Sequence, residues 1–224
     1  MRLVLFDCDG TLVDSAGLIH EVMARTFADF GLVRPALEAT KSIIGLTLDI
    51  AIARLMGEPH VDERALAMTT HYKAIYGSVR SEAGMREPLF PGIAALIAAL
   101  SSRDDLILGA VTGKSRRGLD LIAATHGFEK TFFVSRTADD CPSKPHPAMV
   151  AECCAEAGIA ARDTIVIGDA VYDMQMAKSA GAAAVGVAWG YASVPELVDA
   201  GADHIVRVPE EIIAWMETDH ARHS

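Results

Sequence analysis

The 224-residue sequence predicts an α/β protein: a parallel sheet with helices on both faces and an all-helical domain inserted near its start. Three observations predict it. Short β-branched runs recur at 2–6 (RLVLF), 105–111 (DLILGAV), 131–134 (TFFV), 164–168 (TIVIG), 183–189 (AAVGVAW) and 204–206 (HIV). From 105 onward, alanine-rich stretches of helix length separate them, and continuous apolar strands alternating with helices make a sheet buried on both faces. Between the first two runs, from about Asp14 to about Arg86, only helical patterns occur, about seventy residues of them and too many for an ordinary crossover.

Each element has its own signal. Arg2 to Phe6 is apolar after its first residue and reads as a central strand. In AGLIHEVMARTFADFG (16–31), Ile19, Met23, Phe27 and Phe30 share one helical face, and Gly31 is a helix stop. LDIAIARLMG (48–57) and DERALAMTTHYKAIYG (62–77) read the same way, each closing on a glycine, with Met23, Met56 and Met68 as core filling. EPLFPGI (87–93), with two prolines, marks the return to the sheet. The expected division is a Rossmann-like core of residues 1–13 and 87–224 and a helical domain of residues 14–86, with TDHARHS (218–224) as a frayed tail.

Composition narrows the function. Hydrophobic residues make up 51%, enough for a filled core. A net charge of −10 argues against a nucleic-acid binder yet leaves room for anionic small molecules at a locally positive site. Cys8, Cys141, Cys153 and Cys154 show no CxxC spacing and read as reduced, buried thiols. Asp7 interrupts the first apolar stretch too early for a secretory signal, and the longest apolar run (91–100) is too short to span a bilayer. A cytoplasmic protein with no membrane partner is expected, either monomer or homodimer.

The chemistry collects at predicted strand ends. FDCDGTLVD puts Asp7 and Asp9 just after the first strand, two residues apart and able to address one site, with Gly10 for a tight turn and Thr11 to hydrogen-bond into it. VTGKS places Thr112 and Gly113 between a strand and a helix beginning near Ser115, where a hydroxyl and free N–H groups suit a phosphate. SKPHP holds Lys144 beside Pro145 in a stiff loop, and TIVIGDAVYD puts Asp169 at a strand end with Asp173 four residues on. Four carboxylates at one sheet edge repel one another unless a cation sits among them, and oxygen-only ligands favour Mg²⁺. One aspartate can then attack phosphorus while a second transfers protons.

DCDGT, TGK, KPHP and GDAVYD, in this order, resemble the four motifs of the haloacid dehalogenase-like superfamily, and the helical insert resembles the cap of its phosphoglycolate phosphatase-like branch. The resemblance covers essentially the whole chain. It implies a Mg²⁺-dependent phosphatase for a small phosphorylated metabolite. Asp7 would be nucleophile and metal ligand; Asp9 would be general acid/base, with its carbonyl on the metal. Thr112 and Gly113 would hold the phosphoryl oxygens, and Lys144 would neutralise nucleophile and phosphate. Asp169 would bind the metal, and Asp173 would support its water shell or Lys144. One departure is Ala170, where many relatives carry threonine.

A β-phosphoglucomutase-like phosphotransferase and a non-catalytic phosphometabolite-binding regulator remain open alternatives, although binding alone needs no general acid such as Asp9. For specificity, KSIIGLTLD (41–49) offers Lys41, Gly45 and Thr47 in a loop expected to face the sheet edge. His20 reads as a surface or core histidine, and Lys114, Arg116 and Arg117 as a solvated helix start.

Overall fold

The computed structural model describes residues 1–223, with side chains through Thr218; the rest of the expected tail lies outside the described side chains. Six strands form one parallel sheet: β1 (Arg2–Phe6), β2 (Leu106–Val111), β3 (Val134–Arg136), β4 (Thr164–Gly168), β5 (Ala183–Val187) and β6 (His204–Val206). Their order is β3-β2-β1-β4-β5-β6. The chain winds outward from β1 in one direction and from β4 in the other, so a crevice opens between the carboxyl ends of these two neighbours. Register is direct, with Phe6 opposite both Ala110 and Ile167.

The pleat sorts the first strand between two cores. Val4 and Phe6 join Leu108, Ile165 and Val185 under α5 (Ile93–Ser101), α6 (Arg116–His126) and α10 (Glu210–His223). Leu3 and Leu5 face the other way, joining Met149, Val166, Met174 and Leu197 under α7 (Ala148–Ala157), α8 (Val171–Ala180) and α9 (Val194–Asp199). The four cysteines are buried free thiols. Among the described residues, no helix is long and apolar enough to cross a membrane.

Between β1 and α5 run α1 (Ala16–Asp29), α2 (Leu37–Lys41), α3 (Leu48–Met56) and α4 (Glu63–Arg80). They enclose a third core around Met23, Phe27, Ile52 and Met68. The chain leaves and re-enters the sheet side by side: Val13 bridges Leu89, and the Asp14 N–H donates to the Pro88 carbonyl at 2.8 Å.

Two expected boundaries shift. Gly77 does not close α4, which runs on to Arg80. Tyr76 and Arg80 on its last turns each reach Glu87 at 3.0 Å, and these contacts outweigh the roughly 1 kcal/mol cost of a mid-helix glycine. The third strand lies at 134–136 rather than 131–134, because it follows β2 to its end, where the Arg136 carbonyl accepts the Thr112 N–H at 3.0 Å.

Candidate active site

Asp7 is the first residue past β1, and its N–H extends the β1–β4 ladder by donating to the Ile167 carbonyl at 2.9 Å. That pairing fixes its carboxylate over the crevice, where it is 1% exposed. Lys144 Nζ stands 2.8 Å from Asp7 Oδ1 and 2.6 Å from Asp173 Oδ1. The ammonium donates a hydrogen bond to Asp173 and forms an ion pair with Asp7, whose two carboxylate oxygens are both buried. Burial pushes the Asp7 carboxyl up to about 6, against the pull of Lys144 and with a further push from Asp173. Burial also works against the charge on Lys144, but Asp173 and Asp7 outweigh it and raise its pKa.

Asp169 follows β4 as Asp7 follows β1. Its Oδ1 accepts from Thr11 Oγ1 at 3.1 Å and its Oδ2 from the Tyr191 N–H at 2.9 Å. Thr11 therefore serves Asp169 rather than its own turn. Burial, then Asp7 and Asp173, push the Asp169 carboxyl well above its ordinary range. Gly10 is required here: its φ is +84°, and a Cβ would stand 2.1 Å from Asp169 Oδ2.

Asp173 is the third residue of α8, and its Oδ2 accepts from the Ala170 N–H at 3.1 Å. This is half of a capping box. Alanine has no oxygen to supply the other half, so the helix begins with its N-cap side chain missing.

Asp7, Asp169 and Asp173 bring carboxylate oxygens within 4.8 Å of one another. Asp173 is occupied by Lys144 and the Ala170 N–H, which leaves Asp7 and Asp169 facing each other. Two buried carboxylates this close, with one lysine shared between Asp7 and Asp173 to offset their charge, form a donor set that fits a hard divalent cation.

Asp9 sits apart from this cluster in a second network. Its Oδ1 accepts from Ser15 Oγ and lies 2.9 Å from Lys114 Nζ, which also donates to Glu87 Oε1 at 2.8 Å. Burial raises the Asp9 carboxyl, opposed chiefly by Lys114. Lys114 was expected to be solvated, yet its side chain is 9% exposed. The correction has a plain cause: two buried carboxylates, Asp9 and Glu87, converge on it. Arg116 instead pairs with Asp140 at 2.6 Å, and Arg117 is exposed. The Tyr191 hydroxyl accepts the N–H groups of Ser15 and Ala16 at 3.0 Å, tying the start of α1 to the loop that holds Asp169.

Thr112 is fully buried at the end of β2, its Oγ1 accepting the Lys114 N–H at 3.2 Å. Ser115 caps α6. The insert closes over this loop. Gly45 has a φ of +101°, and a Cβ on Gly113 would stand 2.5 Å from the Leu46 carbonyl. The Thr47 N–H donates to Ser143 Oγ at 2.9 Å, and the Tyr172 hydroxyl donates to the Ser42 carbonyl at 3.0 Å. Lys41 is placed elsewhere: it ends α2 in an exposed pair with Glu38 at 3.1 Å. His20 meets Thr40 at 3.0 Å, within the insert.

Residues 4–187 match the model of the haloacid dehalogenase-like hydrolases. The chain is 31% identical to the probable phosphatase IndB of Dickeya dadantii, covering 94% of this chain and 91% of the relative. It is 32% identical to the phosphoglycolate phosphatase of Escherichia coli, covering 85% and 82%. The fold superposes on a hydrolase from Pseudomonas syringae with a TM-score of 0.84 at 22% identity, covering 97% and 99%. The chain belongs to the haloacid dehalogenase-like hydrolase family. Within it, the chain falls in the phosphoglycolate phosphatase-like branch and is a hydrolase of phosphoric monoesters.

Proposed function

We propose that the protein is a Mg²⁺-dependent phosphatase that hydrolyses a small-molecule phosphate monoester through an aspartyl-phosphate on Asp7. The observation that carries this reading is the Asp7 carboxylate: buried at a strand end, 2.8 Å from a fully buried lysine and close to a second buried carboxylate, Asp169. Such a group is costly to keep unless its oxygens have work to do.

In this reading an Asp7 oxygen attacks phosphorus, and the bond from phosphorus to the ester oxygen breaks. Asp9 delivers its proton to that departing oxygen and becomes a carboxylate. A water then attacks phosphorus as Asp9 takes its proton; the phosphorus–Asp7 bond breaks, inorganic phosphate leaves, and both aspartates return to their starting states. Thr112 and Gly113 hold the phosphoryl oxygens, and Lys144 offsets the charge between carboxylate and phosphate. Asp173 orients Lys144 through the 2.6 Å hydrogen bond. Asp7, Asp169 and the Asp9 carbonyl would hold Mg²⁺, whose charge would stabilise the anionic transition state. Residues 14–86 act as a cap that excludes water from the intermediate, consistent with the close approach of Leu46 to Gly113.

The test is phosphate release from a panel of phosphate monoesters, including p-nitrophenyl phosphate and phosphoglycolate, with Mg²⁺ and with EDTA. Turnover that requires the cation and vanishes in Asp7→Asn is expected. Full turnover by Asp7→Asn overturns the assignment.

A further inference from the structure

A cavity of about 780 Å³ lies between the insert and the loop after β2. Of the carboxylates gathered at the sheet edge, Asp9 borders it and Asp7, Asp169 and Asp173 do not. Gly113 and Lys114 form the same wall. In the proposed reaction Asp9 is the residue that protonates the departing oxygen, so a space opening from Asp9 is where the rest of the alcohol must sit.

Its remaining walls describe that alcohol. Ile19, Ile43, Leu66 and Tyr72 present apolar surface from α1, α4 and the loop after α2; of the cations in the lining, Arg80 and Lys114 are paired with Glu87, and Lys73 and Arg117 lie at exposed positions. The Tyr72 hydroxyl, on a residue 7% exposed, makes no hydrogen bond among the described residues and is a polar point in these walls. Cavities of roughly 300–1,000 Å³ enclose molecules of drug-like size. The two-carbon alcohol of phosphoglycolate would fill a small corner of this one.

We infer that the preferred substrate is the phosphate monoester of a large, mainly apolar alcohol, its body held by the insert between Ile19, Ile43 and Tyr72. This rests on the phosphatase reading above and narrows it. Tyr72 becomes a specificity residue for the alcohol. Lys41, outside the cavity lining, does not contribute.

The experiment compares kcat/KM for ethyl phosphate, phosphoglycolate and 2-(1-naphthyl)ethyl phosphate, with Mg²⁺ present. Ethyl and naphthylethyl phosphates are both primary alkyl esters, so their intrinsic reactivities match and the difference reads binding of the alcohol. Burying a naphthyl group should favour its ester by roughly thirtyfold or more over both others. Ala74 lines the cavity from an exposed position on α4, so Ala74→Trp should fill the space without disturbing a core. It should erase the naphthyl advantage and leave ethyl phosphate turnover unchanged. Phosphoglycolate turned over as well as, or better than, the naphthyl ester overturns the inference and leaves the phosphatase reading standing. So does a naphthyl advantage that survives Ala74→Trp. Absence of turnover with every ester, p-nitrophenyl phosphate included, overturns both. The wild-type comparison decides the matter even if the variant fails to fold.

Discussion

Lys144→Met is the most informative single perturbation of this site. The lysine side chain is fully buried, with its ammonium 2.8 Å from Asp7 and 2.6 Å from Asp173. Methionine keeps most of the stem and removes the charge, leaving two buried carboxylates, and Asp169 beside them, without their cation. Removing one partner of a buried ion pair costs about 3–5 kcal/mol. In a chain of this length each kcal/mol moves Tm by about 2–4 °C, so the metal-free variant should melt roughly 6–20 °C below wild type. The deficit carries a pH signature. The Asp7 carboxyl sits at about 6 even with Lys144 in place, and losing the lysine moves it higher. A carboxyl whose folded pKa exceeds its unfolded value destabilises the fold above that folded pKa. The penalty lifts as pH falls toward the unfolded value of 3.8. Scanning calorimetry in EDTA should therefore show the gap to wild type narrowing between about pH 7.5 and about pH 5. Adding Asp173→Asn should recover part of the loss, since it removes one uncompensated charge. A drop below about 2 °C, or a gap that widens on acidification, would refute the reasoning.

Three further outcomes are expected. EDTA should abolish turnover and Mg²⁺ restore it, while Ca²⁺, with its looser coordination, should bind without supporting comparable rates; full activity in a rigorously metal-free preparation contradicts this. Lys114→Met should release Asp9 from its ion pair and lower kcat/KM for ethyl phosphate on the order of a hundredfold, with a much smaller loss for p-nitrophenyl phosphate, whose leaving oxygen needs little protonation. Equal losses on both esters would show that Lys114 does not position Asp9. Ala170→Thr supplies the missing half of the α8 capping box and should stabilise by about 0.5–2 kcal/mol, read as a Tm rise of a few degrees; an unchanged or lower Tm sinks that explanation.

The sheet was legible because its signals are local. β1, β4 and β6 fall where their apolar runs lie, and the motif aspartates are placed by the strand ends they follow. Contacts distant in sequence were not legible. Lys114 stands beside two arginines and looks like part of a solvated helix start; Glu87, 27 residues away, decides that it is buried. Tyr191 lies 176 residues from Ser15, and no motif announces that its hydroxyl caps the start of α1. Glu87 follows Arg86 in a charged stretch, and nothing local marks it as the buried partner of Lys114. Lys41 failed for the opposite reason: proximity in sequence to the Gly45 loop says nothing about the direction α2 gives its side chain. The cavity walls come from three separate segments, so the size of the alcohol could not be read from any one of them.

The central claim is that Asp7 carries the phosphoryl group. It is tested most directly by quenching a single turnover in acid, digesting the protein and mapping phosphorylated peptides by mass spectrometry. One phosphoryl group on Asp7, appearing before inorganic phosphate and decaying as it is released, is the predicted result. Turnover that proceeds with no phosphoryl group on the peptide containing Asp7, or with one on another residue, would contradict it.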